Sequence, residues 1–182
     1  MDIRKAAKFF DVVTWTGNGT TNRAISHALG VDPAVVITKS TSASGAWYYS
    51  CNFNSTGFNL LYLNSTAAAG NRNYTDDVVM DAQPTSTTIT VGTNSNSNGV
   101  TYVAYLFASN AGGFGASGTD NVISCGSWTG PSQTVTLGYE PQWILYKDTT
   151  AAGTSWQIID NMRGMSLTDS ARLFPNSSGT EV

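Results

Sequence analysis

Val12-Val13-Thr14-Trp15-Thr16-Gly17 is the stretch around which the chain is organised, because a variant returns as Ser124-Cys125-Gly126-Ser127-Trp128-Thr129-Gly130. The features after each copy also follow the same order. A Leu-Gly pair and a proline come first, then an apolar run and a tryptophan. The apolar runs are residues 35–39 and 143–147, and the tryptophans are Trp47 and Trp156. A shared order over about fifty residues predicts an internal duplication.

The duplication is incomplete within the 182 residues and predicts three parts. Residues 1–8 form a short charged leader or linker, and residues 9–120 form the first β-sandwich repeat. Residues 121–182 form a partial second repeat of the same unit. Half a domain rarely buries its apolar face alone. Two interpretations stay open: the chain is a piece of a longer polypeptide, or a neighbouring subunit completes its second half.

The composition indicates a globular β protein with an unusually uncharged surface. The apolar fraction of 41% suffices for a core, whereas the charged fraction is only 12%. Gly, Ser, Thr and Asn supply the polarity instead. The net charge of -3 leaves no basic stripe, so we expect no nucleic-acid partner. No apolar stretch approaches membrane-spanning length, so we expect no membrane insertion.

The two cysteines, Cys51 and Cys125, are too few for a framework of several disulfides. Both lie in strand-like runs, and a single bridge between them is one alternative. Two buried thiols are the favoured interpretation, because a free cysteine behaves as a small hydrophobic residue.

The hydrophobic pattern has the period of β-strands. Phe10, Val12 and Thr14 alternate with Asp11, Val13 and Trp15, as expected when successive side chains point to opposite faces. Residues 100–108 are the longest apolar strand and the predicted centre of the first core. In the second half, strands are predicted at residues 121–128, 133–137, 142–148 and 155–160. The pattern predicts an all-β fold, an antiparallel β-sandwich resembling a jelly roll.

The titratable residues do not form a recognisable catalytic motif. His27 is the one histidine, and no Gly-x-Ser-x-Gly motif accompanies it. Asp76, Asp77 and Asp81 are the densest carboxylate group; they could serve glycoside hydrolysis or bind calcium, but a solvated loop is the simpler interpretation. We therefore expect no catalytic residues, no metal and no cofactor.

The tryptophans are the most suggestive side chains for binding. Trp15, Trp47, Trp128 and Trp156 are candidates for stacking on the sugar rings of a glycan, with Asn, Asp and hydroxyl groups nearby. Trp15 and Trp128 recur at one repeat position, however, and Trp47 and Trp156 at another. Recurrence in each unit favours packing as the alternative role.

Several stretches together resemble a repeated β domain in large tail-fibre and other virion proteins of marine bacteriophages, cyanophages among them. They are residues 4–6 (RKA), 9–20 (FFDVVTWTGNGT), 36–42 (VITKSTS), 101–108 (TYVAYLFA), 112–115 (GGFG), 124–130 (SCGSWTG), 138–143 (GYEPQW) and 160–164 (DNMRG). The resemblance covers nearly the whole chain. It carries no established catalytic residues.

The resemblance implies a non-enzymatic structural protein of the phage virion. The chain would be a tail-fibre or appendage module that contributes to host-surface attachment. Its expected partners are two further copies in a homotrimer, other virion proteins and a host cell-surface glycan. The alternatives are a capsid decoration or head-fibre protein, a carbohydrate-binding module within a fibre, or a glycan depolymerase using the aspartates.

Overall fold

The computed structural model describes residues 5–76, 78–165 and 170–179, and their regular structure is almost entirely β-strand. The strands are β1 (Lys5–Ala6), β2 (Phe10–Thr16), β3 (Arg23–Ser26), β4 (Val35–Ser40), β5 (Tyr48–Cys51), β6 (Gly57–Tyr62), β7 (Gly70–Asn73), β8 (Met80–Ala82), β9 (Thr88–Val91), β10 (Thr101–Phe107), β11 (Trp143–Tyr146) and β12 (Gln157–Asp160). Within this part of the chain, the helical segments are two short 3₁₀ turns, Tyr74–Asp76 and Thr93–Ser95.

Strand β10 lies inside an antiparallel sheet of seven strands in the order β1-β2-β10-β4-β5-β6-β7. It pairs with β2 along its whole length and with β4 on its other side. Tyr102, Ala104 and Leu106 point inward and are buried, whereas the residues between them are partly exposed on the outer face. This alternation follows from the pleat, which sends successive side chains to opposite faces.

A second antiparallel sheet, in the order β3-β9-β8, supplies the other layer of the core. Val36 and Leu60 from the large sheet join one buried cluster with Ile25, Met80 and Ile89 from the small sheet. Removal of these apolar side chains from water is the main stabilising contribution to such a core. The prediction of an all-β antiparallel β-sandwich is confirmed.

The Trp-Thr-Gly motif of the first half has a structural role. The Trp15 indole N–H donates a hydrogen bond to the Ser95 carbonyl at 3.0 Å, and its ring stacks on Tyr102 with centroids 5.4 Å apart. A Cβ atom on Gly17 would come within 2.1 Å of the Ser97 carbonyl oxygen. The motif therefore attaches the end of β2 to the segment just before β10.

Asn96 completes this attachment from within the protein, since its side chain is fully buried. Its amide N–H groups donate to Asn18 Oδ1 and to the Thr20 carbonyl, each at 2.7 Å. Its Oδ1 accepts from Arg23 at 3.0 Å. A buried amide with these partners fixes the turn after β2, because leaving any of them unpaired would be unfavourable.

The second half contains fewer strands than the pattern predicts. Residues 143–146 and 157–160 form β11 and β12, inside two of the predicted strands. The strands predicted at 121–128 and 133–137 are wrong, because these residues are irregular backbone. In the first half, β2 pairs with β1 on one side and with β10 on the other. Among the described residues, no strand pairs with residues 121–128 in this way. An apolar pattern without a pairing partner does not make a strand.

The predicted boundary between the leader and the first repeat does not coincide with the start of the regular structure. Lys5 and Ala6 form β1, opposite Asp11 and Phe10, so the regular structure begins inside the predicted leader 1–8. The segment from residue 66 to 76 has no apolar alternation, yet it contains β7. The division into repeats at 9–120 and 121–182 stays a prediction.

Trp156 attaches the second half to the outer face of the large sheet. It is 3% exposed; its indole N–H donates to the Tyr62 carbonyl at 2.9 Å, and its ring lies 4.9 Å from that of Tyr49. Lys147 reinforces the contact by donating to the Thr66 carbonyl at 3.3 Å. The two halves are thus joined by packing and by hydrogen bonds.

We expect Trp156→Ala to lower the free energy of unfolding by about 3–5 kcal/mol, because it leaves a cavity between the two halves. Trp47→Ala is the matched control, since Trp47 occupies the corresponding repeat position but is 37% exposed; we expect a loss of about 1 kcal/mol there. Urea denaturation followed by circular dichroism measures both. Equal losses would contradict the assignment of Trp156 as the attachment point.

Candidate binding surfaces

Three aromatic rings form a row on the outer face of the large sheet, opposite the core. Phe10, Tyr105 and Trp47 come from β2, from β10 and from the residue before β5. The Phe10 and Tyr105 centroids are 6.3 Å apart and those of Tyr105 and Trp47 are 6.5 Å apart, with 20° between the planes in each pair. We call these three residues the outer aromatic row.

The outer aromatic row is half-exposed and firmly supported. Phe10 and Tyr105 are partly buried, and the Trp47 side chain is 37% exposed. The backbone N–H of Trp47 donates to Asn64 Oδ1 at 3.0 Å, which fixes the position of the ring. An aromatic ring whose face is open to water can stack on the C–H face of a sugar.

A cleft of about 900 Å³ lies between the large sheet and the second half. Trp128 is on its wall and is 52% exposed, with its ring centroid 6.0 Å from that of Tyr146. Asp148 and Gln157 add polar groups to the lining. The cleft therefore combines an aromatic wall with hydrogen-bonding side chains, as small-molecule and sugar sites do.

The four predicted glycan-binding tryptophans lie in three different places, and two of them, Trp128 and Trp156, line the cleft together. Trp15 and Trp156 are buried, at 7% and 3% exposure, and each indole N–H is taken by a backbone carbonyl. Little of either ring is therefore open to a sugar, although Trp156 contributes to the lining of the cleft. Trp47 and Trp128 are exposed, but the first belongs to the outer aromatic row and the second to the cleft.

Phe10 and Tyr105 were not among the residues predicted for binding. The signal that identifies them is strand parity: both occupy positions that alternate with buried residues of paired strands, so they share the outer face. The sequence contains that alternation, but only the pairing of β10 with β2 brings the two rings together.

Both cysteines line the cleft and are free thiols. Burial raises the pKa of Cys51 to about 12 and that of Cys125 to about 11. Because the thiolate is the nucleophilic form, such raised pKa values leave very little of the reactive form at neutral pH. The favoured interpretation of two free thiols agrees with the structure, but both side chains are partly buried and not fully buried as expected.

The aspartates bind backbone groups of the protein itself. Asp76 is exposed and accepts from the backbone N–H of Asn73 at 3.1 Å. Asp81 is 6% exposed and accepts from the backbone N–H of Asn22 at 2.7 Å. Asp77 lies outside the described residues. Across residues 5–76, 78–165 and 170–179, no group of three or more His, Cys, Asp or Glu side chains is arranged to hold a metal ion.

His27 is a structural histidine on the edge of the small sheet. Its Nδ1 accepts from the backbone N–H of Leu29 at 3.2 Å, and its Nε2 lies 3.1 Å from the Thr85 carbonyl. Both contacts are satisfied together by the neutral tautomer with the proton on Nε2. Burial lowers the pKa of His27 below its ordinary 6.5, although Asp11 and Asp32 partly oppose this.

The fold and these surfaces define an all-β sandwich protein with exposed aromatic side chains on its surface. One protein family, described as "Domain of unknown function (DUF7483)", matches residues 5–182, and the chain belongs to this family. No curated protein and no solved structure matches the chain significantly. None of the helical segments in the part of the chain that the structure describes has the length and hydropathy of a membrane span.

We expect the stability of the protein to fall as the pH drops below about 6.5, through the titration of His27. Its pKa is lower in the folded state, so the unfolded chain takes up a proton first, and stability is lost between the unfolded and folded pKa values. The urea midpoint should decrease between pH 7.5 and pH 5.5. His27→Asn, which cannot titrate in this range, is the control, and parallel curves for the two proteins would contradict the prediction.

Proposed function

We propose that this chain is a non-enzymatic structural module of a bacteriophage virion, part of a tail fibre or related appendage that contributes to host-surface attachment. The resemblance of its sequence to marine phage virion proteins supports the proposal, and so does the low content of charge. The observation that carries the attachment role is the outer aromatic row, which presents Trp47 on a sheet held by hydrogen bonds on both sides of β10.

The geometry suits attachment because the binding surface lies on rigid elements. Phe10 and Tyr105 are within paired strands, so their positions are fixed before a ligand arrives. Asp76 and Asp81 hold backbone N–H groups of the fold, which favours a structural role for these carboxylates over the depolymerase alternative.

The proposal includes a homotrimer and contacts with other virion proteins, as the resemblance implies. A trimer interface would cover part of the aromatic surface, because half-exposed aromatic rings are typical of the buried centre of interfaces. A capsid decoration or head-fibre protein is the alternative location on the virion.

Immunogold labelling of intact virions with an antibody against this chain tests the location. We expect gold particles at the periphery of the tail. Label over the capsid would replace the tail-fibre proposal with the decoration or head-fibre alternative, and unlabelled virions that retain infectivity would contradict a virion role. An antibody against the major capsid protein serves as the control for accessibility.

The second candidate function is carbohydrate binding by this module. The observation that favours it is the exposure of Trp47 in the outer aromatic row beside the hydroxyl-rich segment from residue 40 to 44. Sugar recognition usually combines an apolar ring face with hydroxyl and amide partners. The low net charge is compatible with a neutral polysaccharide.

Titration with envelope polysaccharide from marine cyanobacteria, followed by tryptophan fluorescence and calorimetry, tests this candidate. We expect Trp47→Ala to weaken binding about tenfold or more, because an aromatic anchor is lost. Trp143→Ala is the matched control, since Trp143 is 53% exposed but lies outside the outer aromatic row and the cleft.

The outcomes separate the alternatives. A loss confined to Trp128→Ala would place the sugar in the cleft, and no heat or fluorescence change at millimolar sugar would dismiss carbohydrate binding. Release of reducing ends by the wild-type protein would indicate a depolymerase in place of a binding module.

A further inference from the structure

Strands β11 and β12 reproduce the hairpin of β4 and β5 in the same register. At one end of each hairpin, the pair Val35–Cys51 corresponds to the pair Trp143–Asp160. At the loop end, the pair Thr38–Tyr48 corresponds to the pair Tyr146–Gln157. Since a slip of one residue would send every side chain to the opposite face, equal register is a demanding form of similarity. The two hairpins are therefore equivalent residue by residue.

The loops of the two hairpins are closed by equivalent lysine contacts. Lys39 Nζ donates to the Gly45 carbonyl at 3.0 Å, two residues before Trp47. Lys147 Nζ donates to the Thr154 carbonyl at 2.5 Å, two residues before Trp156. The same residue type thus makes the same bond at the same place in each half.

An asparagine contact also repeats after each hairpin. The backbone N–H of Trp47 donates to Asn64 Oδ1 at 3.0 Å, and that of Trp156 donates to Asn176 Oδ1 at 2.7 Å. Each asparagine is followed by a serine whose hydroxyl accepts a backbone N–H two residues on.

A third strand position is equivalent as well. Tyr49 of β5 pairs with Leu61 of β6, and the corresponding Ile158 of β12 pairs with Leu173 through two backbone hydrogen bonds of 2.9 and 3.0 Å. The second half therefore reproduces the β4-β5-β6 arrangement, with β11 in the place of β4.

The difference between the halves lies at the other edge of β11. In the first half, β10 pairs with that edge of β4. In the described residues of the second half, β12 is the one strand paired with β11, and no backbone hydrogen bond joins β11 to the segment from residue 121 to 141. An open strand edge presents unpaired N–H and C=O groups to a partner.

Hydrogen-bond parity shows which groups point to this open edge. Asn161 donates to the Gln142 carbonyl, so the alternation of an antiparallel pair turns the N–H of Leu145 away from β12. The Thr41 N–H donates to Thr101, so the same alternation turns the N–H of Ile37 toward β10. Leu145 and Ile37 are equivalent positions, and both direct the N–H to the same edge.

Side-chain exposure agrees with a missing neighbour. Val35 and Val36 of β4 are 5% and 0% exposed. Their counterparts Trp143 and Ile144 are more exposed, and Trp143 reaches 53%. A side chain at a strand edge that lacks a neighbouring strand keeps more of its surface in water, as Trp143 does.

We propose that the open edge of β11 binds an extended polypeptide strand of the β10 type, antiparallel and in the register in which β10 pairs with β4. The occupant carries the alternating pattern of Thr101–Phe107, and its residue equivalent to Tyr105 lies opposite Leu145. The mode is β-augmentation, in which main-chain hydrogen bonds provide affinity and alternate side chains provide specificity.

A β10-type strand fits this edge better than β11 of a second copy does. The first half provides a template for the former, because Leu106 and Ala104 extend the buried face of Val36 and Thr38 across the paired strands. The first half provides no template for a pairing of β11 with β11 of a second copy.

A synthetic peptide of residues 99–108, with flanking lysines for solubility and a fluorophore, tests the proposal by anisotropy with the full chain. The backbone N–H of Gly17 donates to the Val100 carbonyl, and that of Ala108 donates to the Phe9 carbonyl. By the alternation of an antiparallel pair, the N–H groups of Ala104 and Leu106 therefore face β2. The N–H groups of Val103 and Tyr105 face β4. N-methylation of Val103 and Tyr105 should weaken binding about tenfold or more. N-methylation of Ala104 and Leu106 is the matched control and should leave binding within about twofold.

Leu145→Pro provides the test on the protein side, since it removes an N–H that points to the open edge and spares the bonds to β12. Loss of peptide binding with an unchanged circular dichroism spectrum supports the proposal. Absence of peptide binding to the wild-type chain overturns it. Equal weakening of binding by the two kinds of methylated peptide also overturns it. A concentration-dependent dimer of the chain that Leu145→Pro dissociates, and that the peptide does not dissociate, overturns it as well.

Discussion

The pairing of β10 with β2 on one side and β4 on the other is the interaction on which the rest of the structure depends. It connects segments that are far apart in the chain, from Thr101 opposite Thr16 to Phe107 opposite Val35. Closing such long-range pairs costs chain entropy before the contacts form, which makes this kind of fold slow to assemble. Once formed, this pairing determines which side chains of β10 point to the inner face of the sheet and which point to the outer face.

On the inner face, β10 supplies Tyr102, Ala104 and Leu106 to the core. On the outer face, the same strand supplies Tyr105, which lies between Phe10 and Trp47. The core and the candidate binding surface are consequently two sides of one strand. A change that shifts the register of β10 would disrupt both, because a shift of one residue exchanges the two faces.

Much of this arrangement could be predicted from the sequence, since its period-2 patterns are strong. The apolar run around Val103 was expected at the centre of the first core, and β10 occupies that position. The strand β7 was not predicted, because Gly-Asn-Arg-Asn has no apolar alternation and is a strand only through its pairing with β6. The prediction of a strand at residues 121–128 is wrong for the opposite reason, because these residues have a strand-like pattern but no neighbouring strand to pair with.

The tryptophans show why the candidate site could not be predicted in the same way. Trp15 and Trp128 share a position of the predicted repeat, yet they are 7% and 52% exposed; Trp47 and Trp156 share another predicted position, at 37% and 3%. Burial thus depends on what covers each ring and not on the motif that contains it. Recurrence in sequence could therefore not distinguish a packing role from a binding role.

The difference in exposure between Trp47 and Trp156 has its cause in the outer face of the large sheet. At the β5 and β6 end, the second half covers that face, and Leu61 is 1% exposed although it points away from the core. At the β2 and β10 end, the face is open and carries the outer aromatic row. The covered end shows that this apolar face can bind polypeptide through an aromatic contact and a backbone hydrogen bond. At the open end, the outer aromatic row leaves the same kind of apolar face partly exposed to water.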